Sequence, residues 1–193
     1  MIYRVVKWGD PVLEQPAEPI TEFGTPELDQ LIADMFESMY AAKGVGLAAP
    51  QIGISKRIAV IDCSVGENEK DKVVLINPEI IHTEGRQNGE EGCLSMPGFR
   101  EDVRRAHQVT VRAQNTKGET FEMTGEELLA RAFLHETDHL NGRLYISYVS
   151  ALKRDLIKRK IRKLIKQGQR NFRARRCNNN PIKWPSFFPT HCS

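Results

Sequence analysis

Two histidines and a glutamate stand together in HETDHLNG, residues 135 to 142. His135 and His139 are four apart, so on a helix they project from one face a turn apart, as two ligands to a single ion must. Glu136 lies about 100° round such a helix from His135, beside the ion without having to bind it, which leaves its carboxylate free to move protons. The pattern H-E-x-x-H arises by chance in about one chain in a hundred of this length, so it is informative but insufficient alone. Exposed histidines on an amphipathic helix would have the same spacing.

Two imidazoles do not complete a catalytic site, which ordinarily takes three protein ligands and one exchangeable water. The segment EEGCLSMPG, residues 90 to 98, offers Cys93 in a glycine-flanked stretch between strands, where backbone can approach a ligand closely. A thiolate with two imidazoles suits zinc or ferrous iron in a tetrahedral site. A lone cysteine is nevertheless more often a small buried hydrophobe. A third segment, GVGLAAPQIG at 44 to 53, combines glycines with Gln51, whose amide can donate to a developing oxyanion. A turn between helix and strand explains those glycines equally well.

The elements that must carry these residues follow from periodicity. The 193 residues are 40% hydrophobic, enough for one ordinary core and too few for two substantial domains. Leu28, Leu31, Ile32, Met35, Phe36, Met39 and Tyr40 recur at helical spacing and predict a first helix from about Pro26 to Lys43, stopped by Gly44 and Gly46. From Arg57 to Met123 the pattern changes to RIAVIDC, KVVLINPEII, HQVTVRAQN and ETFEM. These β-rich runs predict a mixed, mainly antiparallel sheet, with NTKGE (115 to 119) as a hairpin connection. TGEELLARAFLHETDHL opens with an N-cap at Thr124 or Gly125 and acidic first-turn residues, and predicts a second helix of about four turns. A third helix is expected over 151–167, with Leu152, Leu156, Ile157, Ile161, Leu164 and Ile165 on one side and its other faces almost entirely basic. Beyond Gly168 three prolines break a stretch without clean periodicity. The chain therefore divides into one globular domain, 1–168, and an irregular basic extension, 169–193, where Cys177, His191 and Cys192 are incidental.

Charge divides the chain in nearly the same place. Residues 1–150 hold 15 Lys and Arg against 24 Asp and Glu, a net −9, whereas residues 151–193 hold 13 against 1, a net +12. Such a basic segment is an electrostatic footprint for a polyanion, RNA rather than DNA, or simply a solvated helix face. The four cysteines are widely and unevenly spaced, MIYRVVKWGD has neither the apolar run nor the cleavage site of a signal peptide, and no stretch approaches the roughly 20 apolar residues that span a bilayer. A reduced, cytoplasmic, membrane-free setting in a bacterium is expected.

Taken jointly, GVGLAAPQ, EGCLS and HETDH, in this order and at these separations, resemble the three signature motifs of the peptide deformylase family, over roughly residues 3 to 168. The resemblance implies an α+β fold, with mainly antiparallel sheets packed around a central metal-binding helix. It implies removal of the formyl group from the N-terminal formylmethionine of nascent proteins, by means of one divalent ion: Fe2+ in the cell, replaceable by Zn2+, Ni2+ or Co2+. Carried over residue by residue, it makes Cys93, His135 and His139 the metal ligands with a water in the fourth position, and Glu136 the general base for that water. Gln51 and the Leu94 backbone N–H would face the oxygen of the tetrahedral intermediate. Val45, Gly46 and Gly92 would line the substrate, with Val45, Leu128 and Ala132 forming an apolar pocket for the methionine side chain. Leu128, Ala132, His135 and His139 follow one helical stripe, which places that pocket beside the metal. Arg131, beside this stripe, departs from the apolar residue expected at the pocket boundary. Asp138 is expected to orient the helix, and the basic helix at 151–167 to dock on the ribosome.

Two other readings compete. A metallopeptidase with the same helix would usually take its third ligand downstream, yet after His139 the chain offers only Asp155 and the remote His191. An RNA-binding module with a structural metal would use the basic segment without catalysis. On the deformylase reading, truncation at about Leu152 is expected to weaken ribosome association in a salt-dependent way and to spare hydrolysis of a formyl-Met peptide.

Overall fold

The computed structural model of the chain describes residues 1–167. The expected extension at 169–193 and its boundary with the catalytic domain lie outside the described residues, as do Cys177, His191 and Cys192.

The first helix, α1 (Pro26–Ala41), begins where the Thr25 hydroxyl accepts the Leu28 N–H at 3.2 Å, with proline in the first turn. It ends two residues short of the expected Lys43. Lys43 turns to a φ of +58°, and the Gly44 N–H closes back on the Met39 carbonyl at 3.0 Å. The expected stripe is core: Leu28, Leu31, Ile32, Met35, Phe36 and Met39 are buried against Leu47, Ile58, Val60 and Ile76.

Seven strands follow: β1 (Gly46–Ala48), β2 (Ile58–Ile61), β3 (Val73–Glu84), β4 (Gln87–Gly92), β5 (Arg100–Arg105), β6 (Gln108–Gln114) and β7 (Thr120–Glu126). Five form an antiparallel sheet in the order β1-β2-β3-β6-β7, and β4 pairs with β5 in a separate antiparallel ribbon. All four expected runs are strands, and NTKGE is the expected hairpin connection, with the Gly118 N–H donating to Asn115 O and Gly118 at φ +82°. β2 is buried on both faces, which is why it reads as an unbroken apolar run. Pro78 within β3 is accommodated by register shifts on either side of Glu79, while the neighbouring Asn77 side chain bridges Ile20 and Gln114.

The metal-motif helix, α2 (Glu127–Leu140), corrects one expectation. Neither Thr124 nor Gly125 caps it; both belong to β7, paired with Thr110 and Val109, and the residue preceding the helix is Glu126. Ladder bonds continue until the Glu127 N–H reaches His107 O at 2.9 Å, and the chain then turns at a single left-handed residue, Glu127 at φ +49°. Sheet pairing has overridden the local capping signal. Gly125 permits the tight return, since a Cβ there would meet Leu129 Cγ at 2.7 Å and Phe133 Cε2 at 2.8 Å. Ala130, Ala132 and Phe133 then pack on Ile61, Leu75, Val109 and Val111. Helix α1 thus packs on β1 and β2 at one end of the sheet, and α2 across the sheet from β1 to β7.

The last helix, α3 (Ala151–Lys166), starts at Ser150, whose hydroxyl accepts the Lys153 N–H at 3.3 Å. Its six apolar residues, expected on one side, are covered unequally. Ile157 and Ile161 are buried and Leu164 and Ile165 partly so against Trp8, Met96, Val103 and Tyr145, whereas Leu152 and Leu156 are 72% and 46% exposed. The helix packs its apolar residues on the body from Ile157 onward, and its first turn is tied to β5 by Lys153 Nζ on Glu101 Oε2 at 2.7 Å. No helix among the described residues is long and apolar enough to cross a membrane.

Candidate metal centre

Helix α2 presents His135 and His139 as expected, their ring centroids 5.1 Å apart. Cys93 follows the last residue of β4, in a turn closed by the Met96 N–H on Cys93 O at 2.8 Å. Its Sγ lies 3.2 Å from His139 Nε2, and the ligand atoms of Cys93, His135 and His139 all fall within 4.8 Å of one another. Burial would raise the Cys93 thiol, but the two imidazoles outweigh it and favour the thiolate. A thiolate and two imidazoles converging in a buried space, with Nδ1 of His135 held from behind by Glu91 Oε2 at 3.3 Å, fit a divalent transition ion. His139 Nδ1 has no hydrogen-bond partner among the described residues.

Behind these three side chains is a buried ionic network that sequence reading missed. Arg105 donates through Nε and Nη2 to the two oxygens of Glu91 at 2.8 and 3.0 Å, and through Nη1 to Asp138 Oδ2 at 2.8 Å. Arg131 adds Nη1 to Glu91 Oε1 at 2.7 Å and to Val103 O at 3.1 Å, so this departure from an apolar pocket wall ties α2 to the β4–β5 ribbon. Burial opposes ionisation of Glu91, yet His135 and Arg105 hold its carboxyl down at about 2. Asp138 also accepts the Tyr148 hydroxyl at 2.8 Å, which orients the helix as its position within the motif suggested. The position of Glu91, two residues before Cys93, was the available signal; Arg105 had none, because its partners are 14 and 33 positions away.

Glu136 is 4% exposed, and its Oε2 has no hydrogen-bond partner among the described residues. Burial, which outweighs the two neighbouring imidazoles, pushes its carboxyl up. Gln51 sits on a short 3-10 turn, Ala49–Ile52, and is 1% exposed. Its Oε1 accepts the Ala48 N–H at 2.9 Å, and its Nε2 points at Cys93 Sγ from 3.6 Å. A cavity of about 290 Å3 opens onto these groups. Val45, Gly46, Gly92, Leu94, Leu128 and Ala132 all line it, so every expected substrate contact is brought to one place. Leu128 lies at its edge, 49% exposed, and Ala132 inside, 5% exposed.

Gly46 has a steric reason to be glycine. A Cβ there would overlap Glu136 Oε1 and stand 2.9 Å from its Cδ. Gly46→Ala is expected to displace the carboxyl and lower kcat about a hundredfold, the order that a misplacement of roughly 1 Å costs. Metal content should be unchanged, and steady-state kinetics beside elemental analysis would check both.

Comparison with known proteins decides what this geometry belongs to. The polypeptide deformylase family model matches residues 2–155. The chain belongs to the peptide deformylase family. A peptide deformylase of Acidobacterium capsulatum is 67% identical over 169 residues, covering 88% of this chain and 99% of that protein. The crystal structure of a Legionella pneumophila peptide deformylase superposes with a TM-score of 0.80 at 45% identity, covering 88% of this chain and 99% of that one. A Thermus thermophilus peptide deformylase structure gives 0.78 at 39%, covering 89% and 100%. The fold is the α+β arrangement of the family, and the chain is a metal-dependent amide hydrolase acting on N-terminal formyl groups.

Proposed function

We propose that this deformylase removes the formyl group from N-terminal formylmethionine of nascent proteins in the bacterial cytoplasm, with Glu136 as general base and Fe2+ as the ion in the cell. The observation that carries this reading is Glu136, a buried carboxyl with an unpartnered oxygen set beside the Cys93, His135 and His139 cluster. When bound, a divalent ion supplies Lewis-acid polarisation and a water acidic enough to act near neutral pH. Glu136 takes up a proton from the attacking water and delivers it to the departing amine. Gln51 and the Leu94 N–H donate to the oxygen that becomes anionic, each worth about 3 to 4 kcal/mol of barrier. Val45, Gly46 and Gly92 guide the substrate backbone, while Leu128 and Ala132 take the methionine side chain; their support is that they line one cavity with the cluster. A soft thiolate ligand is compatible with Fe2+, Zn2+ and Co2+ alike. Anaerobic assay of a formyl-Met-Ala peptide with Fe2+- and Zn2+-loaded protein tests the reading. Release of formate carries it, and no release from any loaded form sinks it.

Ribosome docking is assigned to α3, whose Lys153, Arg159, Lys160, Arg162, Lys163 and Lys166 are exposed. The burial of Ile157 and Ile161 beside Met96 makes truncation at Leu152 a poor test, because it would strip cover from the Cys93 turn. Lys160→Gln with Lys163→Gln is expected instead to weaken cosedimentation with ribosomes. The slope of log affinity against log salt should flatten by about one for each phosphate partner removed, with peptide hydrolysis unchanged. An unaltered salt slope would remove the assignment.

A further inference from the structure

The N-terminal segment, irregular by sequence, joins the two loops of the metal centre. The Val6 N–H donates to Gln51 O at 2.8 Å, and the Trp8 N–H to Ser95 O at 2.9 Å. Between them the Lys7 ammonium donates to Leu94 O at 2.8 Å, across 87 residues of sequence. Leu94 C=O and Ser95 N–H are the two ends of one peptide group, and that N–H donates to Cys93 Sγ at 3.4 Å. A cation on the oxygen and a thiolate on the N–H polarise this peptide in the same sense, so each bond strengthens the other. Lys7 is half-buried. Burial draws its pKa down, and its hydrogen-bond partner among the described residues is the Leu94 carbonyl, not a carboxylate. An ammonium placed at such cost, with a peptide group instead of a counter-ion, has the thiolate as its electrostatic complement.

We propose that Lys7 is a positioning residue of the metal centre: acting through the Leu94–Ser95 peptide group, it sets the orientation and electron density of the Cys93 sulfur. Holding Leu94 O from outside also steadies the adjoining Leu94 N–H, which faces the reacting oxygen in the proposed function, on which this inference rests. Lys7→Met keeps most of the side chain's length and removes the charge. In the Co2+-loaded protein, loss of the nearby cation raises the energy of the sulfur lone pairs, so the thiolate-to-Co2+ charge-transfer band moves to longer wavelength. On a formyl-Met-Ala peptide kcat falls about tenfold, the low end for removing a group that orients a ligand, while KM stays within about twofold. Lys7→Arg restores both. Lys7→Gln, which keeps a neutral donor, shifts the band as Lys7→Met does and provides the same reading if the methionine variant does not fold. A wild-type band in folded Lys7→Met or Lys7→Gln overturns the proposal, as does a fall in kcat without a band shift. A shifted band in a protein whose wild type releases no formate would leave the role of Lys7 standing and sink the proposed function instead.

Discussion

Glu136→Ala is expected to lower kcat for formyl-Met-Ala about 10²- to 10⁴-fold, the range for loss of a positioned general base, while the protein keeps its ion and its fold. The carboxyl is buried, lines the reaction cavity and leaves Oε2 without a partner among the described residues. A polar atom that gives up water without gaining a hydrogen bond contributes nothing to folding; its retention signals use elsewhere. The same variant should therefore melt no lower than wild type, because truncation removes an unsatisfied buried acceptor and not a structural bond. Activity lost with thermal stability kept is the signature of the base. Turnover equal to wild type would refute the role, and a melting temperature several degrees lower would move Glu136 into the framework.

Cys93→Ala should abolish stoichiometric metal binding. Removing an outer partner of a metal ligand costs about 10- to 100-fold in affinity, and removing one of three ligands must cost more. The sulfur also organises its surroundings: Gln51 Nε2, the Ser95 N–H and His139 Nε2 all converge on it. Its loss would leave the Gln51 amide and one peptide N–H without an acceptor, so metal content and catalysis fall together. Elemental analysis after dialysis, set beside formate release, reads both. If the variant held one ion per chain through a competing chelator, the third ligand would lie elsewhere.

The two histidines were legible because helical geometry is local. Residues at i and i+4 share a face whatever the rest of the chain does, so HETDH implied two imidazoles on one side before any tertiary contact was known. The face of α1 and the runs that became β2, β3, β6 and β7 were legible for the same reason. The β4–β5 ribbon was not, because QNGEEG and REDVRR carry one β-branched residue between them. Its register sets Glu90 opposite Asp102 and Glu91 opposite Glu101, and those charges are compensated off the register, by Arg100 on Glu90 at 2.7 Å and Arg105 on Glu91, contacts that the two runs read separately do not show. The start of α2 was misplaced because pairing with β6 outweighed the capping residues at Thr124 and Gly125.

The sequence by itself determined which atoms are available and which of them share a helix face: two imidazoles, a carboxyl one residue from the first, and a thiol among glycines. The tertiary structure decided that Cys93 Sγ stands 3.2 Å from His139 Nε2, that Arg105 and Arg131 lock the ribbon to α2 through Glu91, and that Lys7 reaches Leu94. Those contacts join positions 14 to 87 residues apart. Their distances follow from how helices, sheet and ribbon pack around shared buried charge, a property of the whole chain that no short motif contains.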